Sequence, residues 1–572
     1  MGWLRLSLRR SALFITIMSA GSSIQAQAPS SAEAPPPTIR VSTHLVLVDV
    51  VVTDKQGKPV NGLHPEDFLV EENGKQQKIS SLLTPADKNT APPALPPGVY
   101  TNRPEYRSPG RPITVLLLDA LNTPFKDQAY ARLQMLKFVQ QNFKPEDRMG
   151  IFTLTGSLNV LQDFTSDPQV LYTALQHYRP LQNQYTPSSG TPLNGPASNV
   201  DPTVAPVSDA ANIDASLGPR LATQVALAQA ELQSFSDLAQ GYAEDQRIIL
   251  TLTALNSLSR ILGGMPGRKN INWITGDIPL SLIPEDRTVT GTELSEDLPS
   301  MNTRRVDQHA SGNYAATART LHAQEIRETA ARLSSAQVAI YPVDARGLTL
   351  STDTDSQEEM REIARETGGR AYVNQNEIKI GVDRAFQDQA ATYTVGYYPD
   401  NKKYDGKYRN IKVKVKRDGV EVQNRRGYFA IDPTQMKGYD PQQEVAAATT
   451  DVVPSTMVAF TAQVVPASAN KGKVGVTFLV DATSLAVEDS GGGKHLNVVF
   501  YATTFSPDGK MGPSLSKKVD QSFDDKTYQQ ILQHGLLLHM DMDPPPPNSS
   551  VHLAVQDGRT GLVGTIKAPI TQ

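Results

Sequence analysis

From Ile39 to Thr53 the chain reads IRVSTHLVLVDVVVT, and Val46, Val48, Val50 and Val52 share one face. Apolar residues at every second position predict a strand. Lys55–Lys58 and Glu72–Gly74 supply turns, with Phe68–Val70 before the second and Ile79 after it. Residues 39–83 therefore read as a small antiparallel β unit. A segment this short makes a poor independent core, so it is expected to pack on another part of the chain.

After a Pro-rich stretch at 84–111 the period changes. Ile113–Leu118 (ITVLLL) is almost wholly apolar and ends in Asp119. A short continuous apolar run is what a parallel strand covered on both faces requires. Ala131, Leu133, Leu136, Phe138 and Val139 then recur at near-helical spacing. Further strands are predicted at Arg148–Leu154, Asn270–Thr275, Val338–Val343 and Ala371–Val373. Helices are predicted from Pro168, at about 219–263 with a break near Gly241, at 316–334, at about 356–366 and at about 376–390. Asp167 or Ser166 suits the cap of the first of these, and Pro168 its first turn. The Gly263-Gly264-Met265-Pro266-Gly267 run ends the long helix. Ser/Pro/Asn/Gly-rich stretches at 182–216 and 284–312 read as insertions. Alternation of strand and helix over 112–390 predicts a doubly wound, Rossmann-like α/β sheet, whose sites lie beyond the carboxyl ends of its strands. Asp119, Thr155, Thr275 and Asp344 all fall at such ends.

Beyond 391 the two-residue period returns. Tyr393–Tyr398, Arg409–Lys416 and Arg426–Ala430 are expected to pair with 39–83 in one β domain, discontinuous in sequence. Residues 431–454 read as a linker. Residues 455–572 hold six further predicted strands and no extended helical pattern, which predicts an immunoglobulin-like β-sandwich. Dense tyrosines near 400, from Tyr393 to Tyr408, read as strand-face packing or a binding patch.

Composition narrows the function classes. The 572 residues exceed what one core supports, so two to four domains are expected. A formal net charge of -4 carries no basic excess of the kind a nucleic-acid binder shows. Absence of cysteine excludes disulfides, thiolate metal sites and a cysteine nucleophile. Arg5, Arg9 and Arg10 precede the apolar run Ser11–Ala20 and an Ala26-Gln27-Ala28 triplet, the order of a secretory signal peptide at 1–28, cut after Ala26 or Ala28. An uncleaved amino-terminal anchor is the alternative. The Pro/Ala/Ser-rich residues 29–38 read as a tether. No later stretch is long and apolar enough for a membrane helix. An exported chain is expected, whether periplasmic, on the outer surface or secreted.

The segments VTDKQGKPVNGL, DFLVEENGK, LLLDALNTPF, LQDFTSD, GMPGRKNINWITGDIP, YPVDARGL, ARETGGRAYVN, YTVGYYPD and RRGYFA, in that order, resemble the von Willebrand factor A-related proteins abundant in Acidobacteria. The resemblance covers about 39–430. It implies a von Willebrand factor A-like fold and a metal-ion-dependent adhesion site, in which Mg²⁺ takes hard oxygen ligands and a partner's carboxylate. The family's Asp-x-Ser-x-Ser motif reads here Asp119-Ala120-Leu121-Asn122-Thr123, with Leu121 unable to ligate. Asp119 and Thr123 match, and Asn122 offers an amide oxygen from a shifted position. The second-loop threonine is Thr165 or Thr191. The third motif reads Thr275-Gly276-Asp277, with its Asp one residue late. The resemblance thus implies metal ligands at Asp119, Thr123 and Asp277. The alternative for Asp119 is a carboxylate satisfied by backbone N–H groups of the next loop. Asp344 and Arg346 read either as a carboxylate-recognition pair or as a turn.

No HExxH, Gly-x-Ser-x-Gly or phosphate-loop motif occurs in the chain. The expectation is a non-enzymatic binding or adhesion protein with protein partners. A metal-independent structural or assembly role in the cell envelope is the alternative.

Overall fold

Two apolar layers cover a central five-stranded sheet, one on each face. The computed structural model describes residues 45–84, 94–107, 113–144, 147–182, 185, 219–280, 321–348, 354–375, 377–436, 438–490 and 493–570. The predicted signal peptide, the tether, nearly all of both insertions, and Thr191 lie outside the described residues.

The sheet contains β1 (Thr114–Asp119), β2 (Met149–Leu154), β3 (Leu158–Thr165), β4 (Lys269–Thr275) and β5 (Val338–Asp344), in the spatial order β5-β4-β1-β2-β3. Four strands run parallel; β3 pairs antiparallel with β2 at the edge. Helices α1 (Phe125–Gln141), α2 (Pro168–His177), α3 (Pro219–Leu262), α4 (Ala323–Ser335), α5 (Thr354–Thr367) and α6 (Ile378–Ala390) flank it. Alternate residues of β1 feed the two layers. Val115 and Leu117 meet Ile248, Leu252 and Leu255 of α3, with side chains of α4 and α5. Leu116 and Leu118 meet Met135 and Phe138 of α1, with side chains of α2 and α6. A strand buried on both faces has no solvent-facing positions, which is why Val115–Leu118 is apolar throughout. Asp167 caps α2 by accepting the Gln169 and Val170 N–H groups, with Pro168 in the first turn.

Val46–Asp54 pairs antiparallel with Thr392–Tyr397 and with Val420–Asn424. Phe68–Glu72 pairs with Tyr408–Val415. The two small sheets enclose Val48, Val50, Val52, Phe68, Tyr393, Val395 and Ile411. Two further sheets near the carboxyl terminus enclose Phe460, Phe478, Phe500, Leu553 and Ile566. The molecule is thus a mixed α/β protein with several antiparallel sheets, and Thr38–Gln572 forms one compact unit.

The structure departs from the sequence reading in several places. Ala371–Val373, read as a strand, contributes only an isolated bridge between Tyr372 and Val343. Leu158–Thr165, assigned no element, is a strand, and Asp525–His534 is a helix within the carboxyl-terminal region read as all strand. Helix α3 runs through Gly241 without a break; a single helical glycine costs only about 1 kcal/mol. Val99–Thr101, read as loop, is a strand of the carboxyl-terminal sheets, and the Asn102 amide holds it there through Ser455 O and Val458 O, both 2.8 Å away. Met511–Phe523 is a strand exposed along nearly its whole length. It lacks the apolar alternation by which buried strands are recognised. The 431–454 linker contains a helix, Pro441–Thr450.

That helix and the segment after it lock onto α3. Arg260 donates to both oxygens of buried Asp451, at 2.6 and 3.0 Å, and Ser257 Oγ adds a third bond at 2.6 Å. Arg332 of α4 grips Glu444 through both oxygens. The last carbonyls of α3 accept from outside the helix: Arg260 O from Thr456 N and Ser455 Oγ, and Ile261 O from Thr456 Oγ1. A Cβ on Gly264 would lie 1.7 Å from Thr456 O, so this contact requires glycine.

Lys269, at the start of β4, is buried, with Met265 O as acceptor at 2.9 Å. Burial pushes its ammonium down to about 8, partly opposed by Asp49. Below that pH both folded and unfolded chains hold the proton and the burial cost is complete. Between about 8 and 10.5 the unfolded chain keeps a proton that the folded one releases, so stability rises with pH. Replacing Lys269 by Met is therefore expected to stabilise the fold at pH 7 by up to about 3 kcal/mol, a gain that fades toward pH 10.5. Urea unfolding of both proteins across that range checks it; a gain independent of pH contradicts it.

Candidate functional site

The carboxyl ends of β1, β4 and β5 gather most of the predicted site residues. Asp119 ends β1 and is buried. Its Oδ1 accepts the Asn122 backbone N–H at 2.9 Å. Its Oδ2 faces three donors: Asn122 Nδ2 at 2.9 Å, Trp273 Nε1 at 2.8 Å and Thr275 Oγ1 at 2.9 Å. Burial pushes the Asp119 carboxyl up, and the bonds from Asn122, Trp273 and Thr275 oppose that rise.

Asn122 passes the connection to helix α3. Its Nδ2 also reaches Thr251 Oγ1 at 3.2 Å, and its Oδ1 accepts from Arg247 Nε at 2.9 Å. Arg247 is 5% exposed. Its Nη1 bonds Glu244 at 2.9 Å and its Nη2 pairs with the Asp277 carboxylate. Burial works against the Arg247 charge, and Asp277 with Glu244 outweighs it. Burial likewise favours neutral Asp277, yet Arg247 holds that carboxyl below its usual range. Thr123 Oγ1 accepts the Gly276 N–H at 2.9 Å, fixing the β1 loop against the β4 loop.

Asp344 ends β5 and accepts three bonds from Arg346: its N at 3.0 Å, and Nε and Nη2 at 2.9 Å each. The pair closes a turn on itself. Thr165 is not at this edge. It pairs with Met149, the first residue of β2, whereas Asp119 pairs with Leu154, the last. The antiparallel course of β3 carries Thr165 to the opposite end of the sheet. Thr155 stays at the carboxyl edge and approaches Asn159.

A divalent cation does not fit this set. Mg²⁺ needs oxygen lone pairs aimed at one point. Here the Asp119 lone pairs face N–H and O–H donors, the Thr123 hydroxyl accepts from Gly276, and a guanidinium sits between Asn122 and Asp277. Leu121 is wholly buried in the apolar layer on the α3 side. Among the described residues no group of three or more His, Asp or Glu is placed to hold a metal.

Arg247, Thr251 and Trp273 escaped the sequence reading. Arg247, Thr251, Leu255 and Leu258 follow at helical spacing, so polar side chains continue an apolar face of α3. That continuation was the available sign that both are buried.

No protein-family model matches the chain, and no curated protein matches it. Among solved structures, the pilus adhesin SpaC from Lactobacillus rhamnosus GG is matched with a TM-score of 0.23 and 9% identity, over 89% of this chain and 58% of that one. The chain thus spans less than two thirds of the adhesin's matched chain, and likeness at that level carries no argument.

Asp119→Ala is expected to lower stability by about 3 kcal/mol, because the Asn122 N–H, Asn122 Nδ2 and Trp273 Nε1 lose an acceptor in a buried place, whereas the Thr275 hydroxyl keeps Asp277 O at 2.6 Å. Trp273 fluorescence is expected to change with it. Mg²⁺ or Mn²⁺ is expected to shift the unfolding midpoint of neither protein; a cation-dependent rise in the parent alone contradicts this account.

Proposed function

We propose that the chain is an exported binding protein of the adhesion type. Its central sheet is von Willebrand factor A-like, its carboxyl-terminal sheets are immunoglobulin-like, and it engages protein partners at the carboxyl edge without a divalent cation. The β5-β4-β1-β2-β3 order, with an antiparallel edge strand and Asp119 at the tip of the central β1, supports the domain reading.

One observation carries the binding reading. Exposed apolar side chains stand on the elements that carry the ion-paired cluster: Phe125 begins α1 beyond the Asp119 loop, Leu348 follows the Asp344 turn, Tyr242 precedes Arg247 on α3, and Leu321 adjoins His322, whose ring bonds Asp245 at 2.8 Å. Large apolar groups around a rigid polar centre suit a protein contact. The polar groups at the centre are committed to one another, which favours contact over catalysis. The same internal satisfaction supports a second reading, a structural or assembly component of the envelope.

The full chain, immobilised and exposed to envelope extract, provides the test. Partner capture is expected to persist in EDTA and to fall about tenfold when Phe125 and Leu348 are both changed to Asp. Loss of capture in EDTA overturns cation independence, and capture indifferent to the double substitution overturns the proposed surface. A stable homo-oligomer that captures nothing favours the structural reading.

A further inference from the structure

A cavity of about 890 Å³ opens where the small β sheets, the end of α3 and the carboxyl-terminal sheets converge. That volume is in the range of ligand pockets, and such junctions are where they form. It lies beyond the carboxyl terminus of α3, at the end of the sheet opposite Asp119. Its floor is apolar and soft: Met265, Met457, Phe429 and Leu562 are all buried or half-buried. Methionine adapts to the shape of an inserted side chain. Exposed Tyr398 and Tyr404 stand at its mouth.

The walls carry four cationic side chains, Lys402, Lys403, Arg425 and Arg559, against two carboxylates, Asp432 and Glu488. Both carboxylates are engaged. Glu488 pairs with Arg559 at 2.6 Å. Asp432 accepts from the Thr434 N–H and hydroxyl and from Gln435. Among the described residues, Lys402 and Lys403 have no carboxylate within ion-pairing distance. Arg425 is buried, donates to Ser334 O at 2.8 Å and Leu47 O at 3.1 Å, and lies over the Tyr428 ring, with Asp49 the carboxylate that acts on its charge. A chain of net charge -4 thus keeps a local positive surplus over an apolar floor.

We infer that this cavity binds an acidic peptide segment of a partner protein, with one bulky apolar side chain seated on the methionine floor and flanking carboxylates on Lys402 and Lys403. The deep apolar floor favours a side-chain anchor over a sugar, which needs polar partners around its whole ring. The site is independent of the carboxyl-edge surface proposed above.

Fluorescence anisotropy on the full chain tests it with a fluorescein-labelled pentapeptide, a phenylalanine flanked by two acidic residues on each side. Saturable binding is expected, weakening with added salt. It is expected to fall about tenfold with alanine in place of the phenylalanine, and about tenfold in the Lys402→Glu, Lys403→Glu double variant. Both lysines are exposed, so the variant is expected to keep its unfolding midpoint, which is measured alongside. Phe125→Asp with Leu348→Asp is expected to leave peptide binding unchanged, separating this site from the carboxyl edge. No saturable binding, binding indifferent to the lysine reversal, or tighter binding of trigalacturonate than of the peptide overturns the inference.

Discussion

Helix α3 has to hold two buried arginines, and each is tolerable only because carboxylates meet it inside the protein. Arg247 is met by Glu244 and Asp277, and Arg260 by Asp451. The two lie about 20 Å apart along the helix. The first fixes the loops at the carboxyl edge of the sheet. The second fixes the carboxyl-terminal sheets to the α/β core. An unpaired guanidinium at either position costs several kcal/mol, so neither end of the helix shifts without carrying its partners along.

The pairing has a consequence for what the carboxyl edge does. A divalent site needs oxygens left open toward one point. Here the Asp119 oxygens, Asn122 Oδ1, Thr123 Oγ1 and Asp277 Oδ2 each meet a donor, and the positive charge comes from the chain itself. Arg247 supplies that charge permanently, because a guanidinium stays protonated across the accessible pH range. The edge is therefore preorganised in the protein alone. Phe125 and Leu348 stand exposed there, so under the proposed function specificity rests on shape and apolar area rather than on a coordinated ion.

What was legible in the sequence follows from burial. The both-faces-buried runs at 113–118 and 338–343 read as parallel strands because almost nothing polar interrupts them, and the mixed α/β architecture with β-rich parts follows from them. The strand Met511–Phe523 was not legible, because an exposed strand has no reason to alternate. Val99–Thr101 was not legible either. It is held by pairing with a strand more than 350 residues away, and three residues carry no period. At the site, Asp119 was legible from its place at the end of an apolar strand, but its partners were not. Trp273 lies in a strand read as buried yet bonds through its indole N–H, and Arg247 drew no reading, because a charged residue continuing an apolar face does not announce an ion pair. Thr165 misled because β3 reverses direction, which a short edge strand does without a distinct sequence mark.

The two proposed contact surfaces sit at opposite ends of the central sheet, and α3 spans the distance between them. Its carboxyl-terminal half is apolar on the sheet side, and Gly263 and Gly264 press directly on Met457 and Thr456, next to the cavity. Ion pairs at Arg247 and Arg260 tie both ends of this stretch of the helix to other parts of the chain. On the two proposals above, two separate partner segments would be engaged at once, with gain through effective concentration rather than through a conformational switch. Under the two proposals, that arrangement gives avidity without requiring a moving part.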